Sequence, residues 1–415
     1  MRIKIRKRYL FYILAFSSAI ITALVSGLDA ISQIYIPDPW ALGVACFVLG
    51  AIVAAIFSLV LSIPIRGKTL GAKTIDPSFK GVRLLRKQEI SYQLIAGFGN
   101  AIMTIGYFML LSMFEGNVSV VLPFSQVVIL YLVLIESFGE KDTPTLVEVQ
   151  SALIVTFGAI LGSISLSGNL DVFALAVVFL VINPGWVLLS IYQRKLKMLK
   201  FKDKSNDAIN IRLWNVLFAL IFTAIIVLIY DLFTGSNHLI EGLTGSFKHY
   251  FWVGAVAVGT FFGFVFYIRA LGIGKASVTQ AVKASAIVFS IPVAILLGYL
   301  GITDNFTTDP VMILVKIMGI TLMMLGIASY ALTLTKAYIF IKMKPGIPID
   351  VTMKRLWNIR GVNRVTAVAG HYDFIIKVRT RTLVKGYERI LRKVQNVQGI
   401  DEYRWETVLK EWEDI

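Results

Sequence analysis

Two residue classes that usually announce chemistry are nearly missing from this 415-residue chain, which has one cysteine, Cys46, and three histidines, His238, His249 and His371. A lone thiol inside an apolar run excludes both a disulfide framework and a cysteine-built metal site. Three histidines so far apart in sequence supply no metal-ligand spacing. Charge is scarce as well: 16% of residues are charged and 57% hydrophobic, with mean hydropathy +0.75, where soluble domains carry about one-quarter charged residues. The composition suits a bilayer rather than water. Nothing resembles a phosphate-binding glycine loop or a nucleophile with its base, so the reading is not that of an enzyme, and no cofactor, metal or catalytic residue is expected.

What the chain does have is long apolar sequence. Runs able to cross about 30 Å of hydrocarbon lie near 9–27, 40–64, 91–113, 117–138, 146–167, 172–193, 212–234, 250–273, 277–299 and 311–334, predicting ten transmembrane helices. The net charge of +16 sorts by loop. Five Lys and Arg residues precede the first span, seven lie between Arg66 and Lys87, and seven between Arg194 and Arg212, whereas the alternate loops hold only Lys248. Positive charge collects on the cytoplasmic side. The prediction is therefore a multi-pass protein of the plasma membrane with both termini cytoplasmic and the lipid bilayer as its first partner.

The start MRIKIRKR before an apolar run also reads as a cleaved signal peptide, but an internal repeat argues for a retained first span. Small residues seven apart recur in Ser151 and Gly158 and in Gly319 and Gly326, dividing the spans into repeats of about 9–167 and 171–335. Five spans per repeat places the copies in opposite orientations, as in many transporters.

FGEK at 138–141 followed by a small-residue-rich span, and IRALGIGKASVTQ at 268–280 joining spans eight and nine, resemble the EamA-type repeat of the drug/metabolite transporter superfamily. Tyr299 stands where the first repeat has Glu140, so the terminal acid of that pattern appears once. The resemblance implies a cavity lined by spans one, three, four, six, eight and nine, and export or exchange of a small metabolite.

Polar residues in hydrocarbon need partners or a wet cavity, and their helical faces agree with such a lining. Ser18, Thr22 and Ser26 share one face of span one, Asn100, Thr104 and Tyr107 one face of span three, and Asn183 and Trp186 one face of span six. Gln126 in span four, Thr260 and Tyr267 in span eight, and Thr279 and Lys283 in span nine complete the substrate-binding candidates. The competing explanation is that such residues bond their own helix or glue neighbours together. Asn183-Pro184-Gly185 predicts a kink in span six. Lys283 is read either as a snorkelling side chain, as a holder of a substrate carboxylate or phosphate, or as the partner of Glu136 in a gate. No Asp or Glu falls in the middle third of a predicted span, so no acid relay is expected.

Beyond 335 the sequence turns polar. AYIFIKM (337–343), a helix over 348–359, strands around VNRVTAVA and FIIKV, a second helix before Gly399 and a last strand from Ile400 give the order βαββαβ, a ferredoxin-like α+β domain over 336–415. VTAVAGHYDFIIKV, with KPG before it and GI after it, resembles the effector-binding domain of the Lrp/AsnC regulators, although His371 departs from the short polar or acidic residue usual there. The resemblance implies a homodimer formed through the sheets and a small-molecule effector near Gly370, His371, Tyr372 and Asp373. The alternative is a plain turn, with Gly370 present for a positive φ. Sixteen basic and nine acidic residues from 336 onward suit an anionic leaflet, and no nucleic-acid partner is expected. The whole reads as a carrier of a small organic solute, an amino acid or a relative, regulated by an amino-acid-sensing tail; the alternative is a membrane-anchored sensor without transport.

Overall fold

The computed structural model describes residues 7–114, 121–139 apart from 123 and 124, 172–201, 204–302, 335–359, 361–380 and 390–407, with scattered residues of 150–161 and 311–326. The chain divides into two compact units, Met1–Leu132 with Leu153–Leu325, and Val133–Ala152 with Gly326–Ile415.

In the first unit the long elements are α1 (Lys7–Tyr35), α2 (Pro39–Leu61), the short α3 (Leu70–Thr74), α4 (Lys87–Met113), α5 (Val128–Gly139), α6 (Val172–Ala176), a π-helical turn over Val177–Ile182 and α7 (Asn183–Met198). They are followed by α8 (Ala208–Thr234), α9 (His238–Lys248), α10 (Tyr250–Leu271), α11 (Ala276–Lys283) and α12 (Ala286–Tyr299). Seven described helical stretches are long and apolar enough to cross a membrane. They coincide with predicted spans one to three and six to nine. Predicted span four is described over 121–138 apart from 123 and 124, and predicted spans five and ten fall largely outside the described residues.

Local chemistry sets the helix boundaries. The Asp38 carboxylate accepts from the Ala41 N–H with Pro39 in the first helical position of α2, and Asp207 does the same for Asn210 at the start of α8, each satisfying a donor the helix leaves open. Short hairpins of β1 (Pro64–Ile65) with β2 (Lys68–Thr69), and of β3 (Lys200–Phe201) with β4 (Lys204–Ser205), precede α4 and α8. In the first, Arg66 and Gly67 both have positive φ, the turn that matches strand twist.

The bundle is assembled by close approach. α1 packs along α10 and α12, α4 along α7 and α8, and α2 against α8, α9 and α10. Where α4 meets α7, a Cβ on Gly99 would stand 2.7 Å from the Gly185 carbonyl oxygen, and one on Gly185 at 2.7 Å from the Gly99 carbonyl oxygen. The outer surface keeps large apolar side chains such as Leu180, Leu232 and Phe233 exposed, as a lipid-facing surface does.

The second unit holds an antiparallel sheet of β5 (Thr335–Met343), β6 (Val362–Ala367), β7 (Phe374–Thr380) and β8 (Ile400–Thr407) in the order β6-β7-β5-β8, with α13 (Ile349–Trp357) between β5 and β6. Alternate residues Ala337, Ile339 and Ile341 of β5 and Phe374, Ile376 and Val378 of β7 are buried, the two-residue period of a half-covered sheet. Leu356 from α13 and Val394 pack on them. The second predicted helix is described only from residue 390 onward.

Candidate functional site

A cavity of about 140 Å³ lies inside the helical unit. Its wall takes residues from α1, α4, α7, α10 and α11, as the sequence reading expected, and also from α2 and α8, which it did not. α7 is shaped for this role. Pro184 cannot donate a backbone hydrogen bond, and the chain widens into the π turn just before it, a form that recurs at functional sites. The Asn183 side-chain amide donates to the Val178 carbonyl at 2.8 Å, so the widened turn is satisfied from within, while Trp186, one turn on, faces the cavity.

Nine of the thirteen predicted lining residues meet there: Thr22 and Ser26 from α1, Asn100, Thr104 and Tyr107 from α4, then Gln126, Trp186, Thr260 and Lys283. The other four are placed differently. The Ser18 hydroxyl donates to the Gly263 carbonyl at 2.9 Å, bridging α1 to α10. Asn183 is spent on the π turn, and Thr279 donates to the Lys275 carbonyl of its own helix at 2.8 Å. The Tyr267 hydroxyl donates to Ser190 at 2.8 Å, although its ring lies 4.9 Å from the Lys283 ammonium. These four do not line the cavity, and their polar atoms bond their own helix or a neighbour, as the hydroxyls of Ser26 and Thr260 also do from within the wall. The side chain of Glu136 lies outside the described residues, and with it the proposed pair with Lys283.

Lys283 is buried at the end of α11, where the helix breaks before α12 resumes at Ala286. Its ammonium lies 4.3 Å from the Trp186 ring centroid and 5.2 Å from that of Phe264. Two cavity residues escaped the sequence reading. Arg212 was assigned to a cytoplasmic basic loop; it lies in the second turn of α8, is buried, and places its guanidinium 4.2 Å from the Phe264 centroid. Asp29 was left outside a span that was expected to end at 27. α1 continues to Tyr35, and Asp29 is buried in the cavity wall beside Tyr107, whose hydroxyl also neighbours Ser26. Asp29 lies in the last third of α1, so the middle thirds of the predicted spans remain without an acid, but the cavity wall contains one. The cap sequence Asn206-Asp207 was the signal that would have placed Arg212 inside a helix.

At the ends of α4 and α7 that face the hairpins, a second polar group is locked shut. The Lys197 ammonium donates to Asp76 at 2.6 Å and to the Asn206 carbonyl at 2.6 Å. Arg83 grips Glu89 with two bonds of 2.6 and 2.7 Å, and the Asn206 amide also donates to Glu89. Burial works to raise the Asp76 pKa, but the Lys197 charge and the backbone donors of Ala208 and Ser78 hold it below the usual carboxylate value. Burial wins at Asp207, whose pKa is raised despite its bonds to Asn210. These groups are committed to one another, and the arrangement is structural.

In the second unit the turn before β7 is also built tightly. Asp373 donates its N–H to the Ile341 carbonyl and accepts from the Met343 N–H through its carboxylate at 2.7 Å. Tyr372 lies 5.4 Å from the Phe340 ring and 4.9 Å from His371, which is exposed. Gly370 does not have a positive φ, and a Cβ there would meet open space. The conformational reason offered for that glycine is therefore withdrawn.

Residues 336–414 match the family model described as the Lrp/AsnC ligand binding domain, so the sheet unit carries that domain. No curated protein matches the chain. A solved structure titled only "Crystal structure of protein" is similar at 17% identity, with 78% of this chain and 96% of that chain covered and a TM-score of 0.46, a likeness too slight to carry any argument.

Proposed function

We propose that this protein carries a small organic solute, an amino acid or a close relative, across the plasma membrane through the cavity of its helical unit, and that the Lrp/AsnC-type domain regulates it by sensing an amino acid or related metabolite. The observation that carries the reading is convergence. Polar faces of helices far apart in sequence meet around one internal space, together with the buried ionisable groups of Asp29, Arg212 and Lys283. Buried charge within apolar helices is costly and marks solute and ion pathways.

The fuller arrangement belongs to the same proposal: ten spans in two inverted EamA-type repeats, both termini cytoplasmic, and a ferredoxin-like tail that forms a homodimer through its sheet. The clustering of Lys80, Arg83, Arg86 and Lys200 around one hollow and the stacking of Trp40 on Tyr230 and of Tyr35 on Trp252 near the opposite helix ends support that orientation, since basic residues favour the cytoplasmic side and aromatic residues the interfaces. Purified protein in liposomes, offered labelled amino acids, is expected to give saturable uptake of at least one. Ligand binding by the tail without flux of any solute would favour the sensor reading instead.

A further inference from the structure

The cavity's charges are unevenly placed. Arg212 and Lys283 approach the same Phe264 ring at 4.2 and 5.2 Å, so the two cations lie no further apart than those distances combined. Both are 4% exposed. Two buried like charges at this range repel, and among the described residues neither forms an ion pair. The Arg212 Nε has no hydrogen-bond partner among the described residues, where its Nη1 reaches only the Asn215 Oδ1, at 3.4 Å. Among the described residues the Lys283 ammonium meets the aromatic faces of Trp186, Phe264 and Tyr267.

Aromatic faces stabilise a cation without consuming its N–H donors. Both donor sets therefore stay free to bind something that the described residues do not provide. The guanidinium is also positioned from behind. Asn215 Oδ1 accepts from Asn100 at 3.0 Å, from Gln193 at 3.4 Å and from Arg212, which fixes one edge of the fork and leaves Nε and the other nitrogen open. The cavity wall as a whole is mostly apolar, with Ile21, Val25, Val216 and Val256 among its residues, interspersed with the amides and hydroxyls of Asn100, Gln126 and Thr260.

We infer that Arg212 and Lys283 form one anion-binding subsite, that its ligand is the carboxylate of a small organic acid or amino acid with an apolar remainder, and that Asn215 is a positioning residue for the guanidinium. A planar guanidinium beside a point-like ammonium accommodates both oxygens of a carboxylate. A cavity of about 140 Å³ whose wall is mostly aliphatic and aromatic favours a small carboxylate with an apolar remainder.

This inference rests on the transport reading but is tested by binding. On the purified full chain, the ligand-induced rise in melting temperature is measured with leucine, 4-methylpentanoate, benzoate, leucinamide and inorganic phosphate. The expected result is binding by at least one carboxylate, with leucinamide at least tenfold weaker than leucine wherever leucine binds, and phosphate without effect. Lys283→Met and Arg212→Lys should each weaken the bound carboxylate about tenfold or more and should not weaken any leucinamide binding; Lys283→Gln serves if Lys283→Met does not fold. Asn215→Leu should weaken the carboxylate but not the amide. Binding of leucinamide as tight as that of leucine, binding of phosphate in place of carboxylates, carboxylate binding indifferent to Lys283, or no binding by any carboxylate would each overturn the inference. Flux of an uncharged or cationic solute alongside any of these results would leave the transport reading standing.

Discussion

Asp76 and Lys197 are joined at 2.6 Å by a buried ion pair whose members lie 121 residues apart in the chain. The pair ties the segment leading into α4 to the end of α7, and Asp76 also accepts from the Ala208 N–H at the start of α8. Asp76→Asn leaves the ammonium buried with a weaker partner and should cost about 3–5 kcal/mol. Asp76→Leu with Lys197→Met should recover much of it. Because the folded Asp76 pKa lies below its unfolded value, its contribution is fully present above about pH 4 and is lost as pH falls through the folded value. Thermal melts of the detergent-solubilised protein should therefore show an acid limb that Asp76→Asn flattens. An unchanged melting temperature in the single variant would remove the pair from the account of stability.

Transport should depend on Lys283 more than on a surface lysine. Lys283→Gln is expected to reduce flux about tenfold or more, equivalent to about 1.4 kcal/mol, whereas Lys248→Gln, at the end of α9, leaves it unchanged at equal expression. Equal flux in the two variants would reduce Lys283 to a packing residue.

Asp29→Asn keeps the shape of the cavity wall and removes the ionisable carboxyl group. Its neighbours Tyr107 and Ser26 are neutral donors, and Asp29 Oδ1 itself has no hydrogen-bond partner among the described residues, so the substitution should be tolerated by the fold and damaging to flux. Size-exclusion profiles like those of the wild type, together with flux reduced about tenfold, are the expected pair of results.

The contact of α4 with α7 tolerates no side chain at either glycine. Gly99→Ala and Gly185→Ala should each cost about 1–3 kcal/mol through overpacking, read as a lowered melting temperature. Gly254→Ala, where a Cβ meets open space, is the matched control.

Much of this organisation is legible in the sequence. Seven spans, the sheet strands and nine lining residues follow from apolar runs, period-two alternation and shared helical faces. The misses have common physical causes. A charge is normally taken as the end of a span, so Gly27-Leu28-Asp29 hid eight further residues of α1. Arg212 was absorbed into the basic run that begins at Arg194, which the sequence reads as a loop. Ser18 and Thr279 carry the right atoms on the right faces, yet periodicity alone does not show that a hydroxyl has already donated to a carbonyl.

The tail separates two roles that sequence had merged. Asp373 holds the Met343 N–H, so Asp373→Ala should lower the stability of the sheet unit by about 1–3 kcal/mol, the cost of an orphaned donor, whether or not an effector binds. His371→Ala, at an exposed position, should leave melting unchanged and weaken the stabilisation of the full chain by its amino-acid effector. An effector response that survives His371→Ala and Tyr372→Ala would take the ligand away from this turn.

The π turn over Val177–Ile182 amounts to a single-residue insertion in the helix that supplies Trp186. An α-helix advances about 100° per residue, so one supernumerary residue rotates everything on its far side by that angle relative to an uninterrupted helix. The two ends of this span therefore obey independent face assignments, and the helix can satisfy one set of neighbours beside Gly99 and another beside Gly106. Any relative of this chain that lacks one residue in 177–181 would have lost this offset, and would need a different set of side chains to close the same bundle.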